Sequence, residues 1–176
     1  TILIDTDTHS YIQFVPQNET YGSHVNRRTI YVNVTANDTN LANVTIYLYN
    51  STYSLINSTA SGSSTYFESY ILPDGLYFFN ATAYDLAGNS NNTETRNVTV
   101  DATFPLIQIT YPQNMTYNAN VSALNYTVSD MNLQACWYSL NGGVTNVTIT
   151  CGNNVTTLTS NEGSNTWRVY VNDSFG

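Results

Sequence analysis

Apolar residues recur at every second position in short runs along this chain, and turn residues interrupt the runs before any of them grows long. Ile30, Val32 and Val34 alternate with Tyr31, Asn33 and Thr35. Val44, Ile46 and Leu48 alternate with Asn43, Thr45, Tyr47 and Tyr49, and Tyr77, Phe79, Ala81 and Ala83 with Phe78, Asn80, Thr82 and Tyr84. Val98 and Val100 alternate with Asn97 and Thr99; later, Leu124, Tyr126 and Val128 oppose Asn125 and Thr127. Near the end Trp167, Val169 and Val171 oppose Arg168 and Asn172. A strand sends successive side chains to opposite faces, so a period of two writes one buried and one solvated face. No stretch shows the helical period. With Gly, Asn and Asp punctuating every 8–12 residues or so, the pattern predicts antiparallel β-sandwiches and no helices.

The chain also repeats. Val15-Pro16-Gln17-Asn18-Glu19-Thr20-Tyr21 returns as Tyr111-Pro112-Gln113-Asn114-Met115-Thr116-Tyr117, a shift of 96, and Ile4-Asp5 matches Val100-Asp101 at the same shift. Asp74-Gly75 and Tyr84-Asp85-Leu86-Ala87-Gly88 match Glu162-Gly163 and Asn172-Asp173-Ser174-Phe175-Gly176 at a shift of 88. Two units follow, the second shorter by eight residues between its middle strands. About seven strands in roughly 90–100 residues suits an immunoglobulin-like or fibronectin-III-like sandwich. The expected organisation is an N-terminal strand and linker over 1–6, one sandwich over 7–101, and a second over 102–176 that lacks its own last strand.

Fifteen Asn-x-Ser/Thr triplets lie in 176 residues, at Asn18, Asn33, Asn37, Asn43, Asn50, Asn57, Asn80, Asn91, Asn97, Asn114, Asn120, Asn125, Asn146, Asn154 and Asn172, none with Pro in the middle. Random placement of this composition gives about six. The excess points to N-glycan acceptors and a secreted or surface protein; the alternative is an Asn/Thr-rich β-protein whose triplets are incidental. Every acceptor within the strands above falls in the outward phase, as a glycan requires.

Charge supports an exterior address. Net charge is -8, yet only 9% of residues are charged, and the only cations besides histidine are Arg27, Arg28, Arg96 and Arg168. Such a chain has no basic surface for nucleic acid or an anionic membrane. Without Lys, Lys–Asn isopeptide crosslinks are ruled out. Covalent sugars would supply the missing solubility and shield sheet edges, a task Lys commonly performs. No apolar run reaches membrane-spanning length and no signal peptide is present, so Thr1 is expected to open a mature chain or a fragment of a longer one.

The linker Val100-Asp101-Ala102-Thr103-Phe104-Pro105, then Tyr111-Pro112-Gln113-Asn114, Cys136-Trp137-Tyr138-Ser139-Leu140-Asn141-Gly142-Gly143, and Val171-Asn172-Asp173-Ser174-Phe175-Gly176 resemble tandem Ig-like repeats of archaeal surface proteins. Tyr84-Asp85-Leu86-Ala87-Gly88-Asn89 looks like the same closing motif in the first unit. The resemblance implies heavily N-glycosylated surface or filament proteins, and such modules serve as stalks, adhesins, S-layer components and filament subunits alike. The first unit departs from it in having no cysteines and in carrying Asp5-Thr6-Asp7-Thr8-His9 as its linker.

Cys136 and Cys151 are the only cysteines. Asn141-Gly142-Gly143 between them predicts a hairpin turn, and an oxidising exterior favours a disulfide over two buried thiols. Asp5, Asp7 and Asp101 lie where a linker would place calcium ligands, although each Asp also caps turns through its own backbone. The outward Tyr31, Tyr47, Tyr49 and Tyr84 suit sugar stacking, or equally cross-strand pairing beneath the protein's own glycans. His9 and His24 stand alone, no nucleophile elbow is present, and no enzyme or cofactor is expected beyond covalent N-glycans.

The expected function is that of a structural, glycosylated extracellular filament subunit of pilus or thread type. The alternatives are an adhesin or lectin-like stalk segment, or an S-layer component, of a longer repeat protein. Residues 1–5 align with the final strand of the first unit, with Ile2 and Ile4 in the inward phase of Val98 and Val100. The segment Ile2, Leu3, Ile4 is therefore expected to complete the second sandwich of a neighbouring subunit, giving a homopolymer.

Overall fold

In the computed structural model, which describes residues 10–175, the chain divides into two compact units between Ala102 and Thr103. The architecture is all-β: strands and no helices occur among the described residues.

In the first unit one sheet has the order β1–β3–β6, with β1 at Tyr11–Phe14, β3 at Thr29–Asn37 and β6 at Thr65–Ile71. The other runs β2–β9–β7–β4–β5. Its strands are β2 (Ser23–Val25), β4 (Leu41–Tyr49), β5 (Leu55–Ser61), β7 (Gly75–Asp85) and β9 (Arg96–Val100), and β8 (Ser90–Asn92) pairs with β7. All pairings are antiparallel except β2 with β9, which is parallel and joins Ser23 to Val98 and Val25 to Val100. Ile30, Val32 and Val34 from one sheet and Val44, Ile46, Leu48, Phe79, Ala81, Ala83, Val98 and Val100 from the other bury almost completely in one core. Branched and aromatic side chains fit the pleated surface, and their alternation decides which face is removed from water. Phe79 is fully buried and meets Phe14 edge-on at 5.5 Å.

Turn chemistry fixes the strand ends. Asn50 Oδ1 accepts from the backbone N–H groups of Thr52 and Ser54, reversing the chain between β4 and β5. Asp85 Oδ1 accepts from the N–H groups of Ala87 and Asn89, and its Oδ2 from Asn89 Nδ2. Gly88 takes φ +93° in that turn, a conformation a side chain would disfavour. Two of the arginines are spent internally: Arg27 pairs with the buried Glu19 at 2.9 Å, and Arg96 lies 4.2 Å over the Phe14 ring while binding Glu94.

The second unit repeats this plan with fewer strands. One sheet runs β10–β11–β14, at Leu106–Tyr111, Ala123–Ser129 and Val155–Thr156. The other runs β13–β12–β15, at Val147–Ile149, Leu133–Ser139 and Arg168–Asp173. By pairing partners, β10, β11 and β14 correspond to β1, β3 and β6, and β13, β12 and β15 to β5, β4 and β7. Counterparts of β2, β8 and β9 are missing among the described residues, so the second sandwich lacks its closing strand there.

The core responds accordingly. Val121, Leu124, Tyr126 and Cys136 are the buried hydrophobics of this unit among the described residues, while Val169 and Val171 remain partly exposed. Their counterparts on β7 are fully covered. Trp167, expected from its phase to be an inward core residue, sits just ahead of β15 and is only partly buried. The strand begins one residue after it, and Trp167 shares the partial burial of Val169 and Val171, with the exposed Arg168 between.

Candidate functional site

The feature with the clearest capacity for a partner is the outer edge of β15. β7 carries β8 and β9 along the edge away from β4. β15 pairs with β12 on one side, and among the described residues no strand pairs with the other. A groove of about 340 Å³ runs beside it, lined by Phe104, Pro105 and Ile107 opposite Val169 and Val171. Phe104 is 80% exposed. An unpaired strand edge next to apolar side chains offers both ladder hydrogen bonds and a place for alternate side chains of an added strand. The segment expected to fill such an edge, Ile2, Leu3 and Ile4, lies outside the described residues.

Cys136 and Cys151 are bonded to each other, with Cα atoms 5.1 Å apart. Cys136 is buried on β12 opposite Ile149 of β13, and Cys151 follows in the turn. The hairpin that aligns them turns at Gly142 and Gly143, with φ +75° and +103°. Ser139 Oγ accepts from the N–H groups of Asn141 and Gly143. A Cβ on Gly143 would meet Tyr170 Oη at 2.7 Å, so the turn admits only glycine without movement. Beneath the disulfide, the Tyr126 hydroxyl donates to Thr150 O and accepts from Gly152 N–H. Burial raises the Tyr126 pKa, and the Gly152 bond opposes the rise.

None of the fifteen acceptor asparagines is buried. Asn37, Asn57, Asn114, Asn120, Asn146 and Asn154 are exposed, and the other nine are half-buried. In Asn43, Asn50, Asn97, Asn120 and Asn154 the carbonyl oxygen is the group that bonds the protein, accepting from Thr45, Thr52, Gly22, Ser160 and Tyr126. In Asn18, Asn33, Asn80 and Asn172 the amide nitrogen donates, to Asn33 O, Pro16 O, Thr95 Oγ1 and Gln134 Oε1. A glycosylated amide retains one N–H, so these bonds are compatible with modification.

The outward tyrosines are paired with aromatic neighbours. Tyr31 stacks on Phe67 with centroids 5.9 Å apart, and Tyr47 on Tyr49 at 6.4 Å. Tyr47 and Tyr84 hydroxyls lie 3.4 Å apart, and this bond, with burial second, raises the Tyr47 pKa. Sequence reasoning set Phe78 in the outward phase but missed Phe67 and Tyr53 in these surfaces; Tyr53 stacks on Phe78 at 4.0 Å across a turn whose geometry no periodicity announces.

Of the linker acids, Asp5 and Asp7 lie outside the described residues, and Asp101 is buried at the end of β9 with its N–H on Val25 O. Asp130 and Asp173 bond their own turns, to the N–H groups of Asn132 and Phe175. His24 is exposed on β2, and His9 lies outside the described residues.

No curated protein matches the chain. Among solved structures, it is similar to the fibronectin(III)-like modules of Clostridium thermocellum CbhA at 16% identity and TM-score 0.41, covering 94% of this chain and 87% of that one. A bacterial ice-binding adhesin is similar at 11% and TM-score 0.35, over 95% and 60% of the two chains. The chicken CNTN1 FN1–FN3 domains are similar at 11% and TM-score 0.33, over 92% and 64%. Residues 17–102 match the model of the family described as bacterial Ig-like domain, which agrees with the Ig-like β-sandwich fold of the first unit.

Proposed function

We propose that this protein is a structural subunit of an extracellular, N-glycosylated filament that polymerises head to tail. Residues 1–5 of one subunit add a strand to β15 of the next, with Ile2 and Ile4 entering the groove beside Val169 and Val171. The observation that carries this reading is that, among the described residues, no strand pairs with the outer edge of β15, whereas the matching edge of β7 carries two. Burying each isoleucine contributes about 1.5–3 kcal/mol, and the new ladder covers an edge that otherwise invites aggregation. The contact is heterologous and does not close on itself, so its repetition gives a fibre. Fifteen acceptor asparagines, none of them buried, would coat that fibre with sugar.

A second reading is favoured by the family match, because Ig-like domains occur in strings. The same strand would then arrive covalently in an adhesin, stalk or S-layer protein made of many repeats. Denaturing mass analysis of native material separates the two: strand-exchanged subunits fall apart into chains of one size, and a continuous polypeptide does not. Deleting residues 1–5 abolishes filaments by electron microscopy on the first reading, and excess free peptide of that sequence blocks them. Filaments that persist after the deletion overturn strand donation.

A further inference from the structure

Two outward aromatic pairs stand beside acceptor asparagines whose side chains are incompletely satisfied. On β3, Tyr31 and Asn33 are two residues apart and share the outward face, and Phe67 of β6 lies directly across from Asn33. The Tyr31 and Phe67 rings are stacked with an interplanar angle of 24°, and they are 36% and 48% exposed. The second unit repeats the motif on an unrelated strand. On β15, Tyr170 precedes Asn172 by two, Trp137 of β12 pairs with Tyr170, and the rings stack at 5.6 Å and 12°.

The asparagines themselves supply the second observation. Among the described residues, three buried side-chain polar atoms have no hydrogen-bond partner: Ser23 Oγ, Asn33 Oδ1 and Asn172 Oδ1. Two of the three belong to these acceptors. Buried carbonyls are nearly always bonded, so each exception calls for an explanation. Asn80 also follows an aromatic by two residues, but its Oδ1 is not among these buried unpaired atoms.

We propose that the Tyr31–Phe67 and Tyr170–Trp137 pairs are seats for the first sugars of the glycans on Asn33 and Asn172. The proposal rests on the reading that these asparagines are glycosylated. In that modification Nδ2 bonds to the anomeric carbon of a diphosphate-activated sugar, the diphosphate leaves with the bonding pair, and one amide proton is released. The remaining N–H keeps its bond to Pro16 O, 3.2 Å away, or to Gln134 Oε1, 2.9 Å away. The attached pyranose presents C–H groups on its face and hydroxyls at its rim. Its face covers the aromatic plate, and a donor on the carbon next to the anomeric centre satisfies the orphan oxygen. Both sugars thereby become part of the packing rather than mobile decoration.

The test is a double-mutant cycle at Asn33 in a host that transfers N-glycans: the parent, Tyr31→Ala, Thr35→Ala, and both together. Thr35→Ala removes the triplet without touching Asn33, and the same four proteins from a host without the transfer serve as the baseline. Peptide mass mapping reports occupancy, and urea unfolding reports the folding equilibrium. Beyond the baseline, loss of the glycan lowers that equilibrium several-fold when Tyr31 is present and not when it is alanine. Proton spectra of the parent show the first sugar's ring protons shifted upfield. Full occupancy with additive effects and no ring-current shift overturns the seat and leaves glycosylation standing. An unmodified Asn33 brings down both.

Discussion

Phe79 and Trp167 came from the same sequence argument, an aromatic in the inward phase of an alternating run, and the structure treats them differently. Phe79 is fully buried, with both sheets around it and Phe14 edge-on to its ring. Trp167 precedes its strand and keeps part of its surface in water. Truncating Phe79 to Ala should therefore cost about 3–5 kcal/mol in urea unfolding of the first unit. Trp167→Ala should cost distinctly less in the second, and equal losses would mean that the second core is better closed than its exposure indicates. Asp85 gives a pH-dependent counterpart. Burial pushes its carboxyl up, but hydrogen bonds from Asn89 and the N–H groups of Ala87 and Gly88 outweigh this and leave the pKa below the ordinary 3.8. A depressed folded-state value means the contribution is present above the unfolded pKa and is lost as the pH falls through the folded one. Acid unfolding of the parent should steepen below about pH 4, and Asp85→Asn should flatten that slope. An unchanged slope would show that the turn does not depend on the charge.

Among the elements, strand phase was the legible part. Ile30, Val32, Val34, Val44, Ile46, Leu48, Phe79, Val98 and Val100 all bury as their alternation dictates, because one face of each strand meets a core. The short β2 was not legible: Ser23-His24-Val25 is too brief to show a period, and its parallel pairing with β9 spans 75 residues of sequence. The exposure of Val169 and Val171 was equally hidden, since phase says which face turns inward and nothing about what covers it. The cysteines were legible through the Asn-Gly-Gly turn between them. Their bond spans 15 residues, and in the chain-entropy model a loop of that size is worth roughly 3 kcal/mol. Both tryptophans lie in the second unit, so tryptophan fluorescence follows that unit alone. Reduction should lower its urea midpoint and leave hydrogen exchange on β3 and β4 unchanged; a matching change in both units would deny their independence.

For the molecule as a whole, the low charge and the open edge belong together. A chain with 9% charged residues and, among the described residues, no strand on the outer edge of β15 has few of the usual defences against edge-to-edge association there. On the function proposed above, sugar on outward asparagines would supply one defence and a donated strand another. This was the least legible scale in the sequence: acceptor triplets mark where sugar is allowed, and only the sheet order shows which edge is left uncovered.

The parallel pairing of β2 with β9 carries a mechanical consequence. The chain enters β2 from its N-terminal side and leaves β9 toward the second unit, and both strands point the same way. Tension along the polypeptide, once β1 has peeled from β3, pulls β2 backward and β9 forward past each other. The ladder from Ser23–Val98 to Val25–Val100, extended by Gly22 N–H on Asn97 O and Asp101 N–H on Val25 O, is then loaded in shear, and its bonds must break together. A hairpin pulled from its open end parts one bond at a time. Single-molecule stretching of the first unit should show a distinct high-force rupture. Val25→Pro removes the N–H of one clamp residue and should lower that force more than a proline at the rim, such as Ser63→Pro. Equal forces would mean that the clamp does not bear the load.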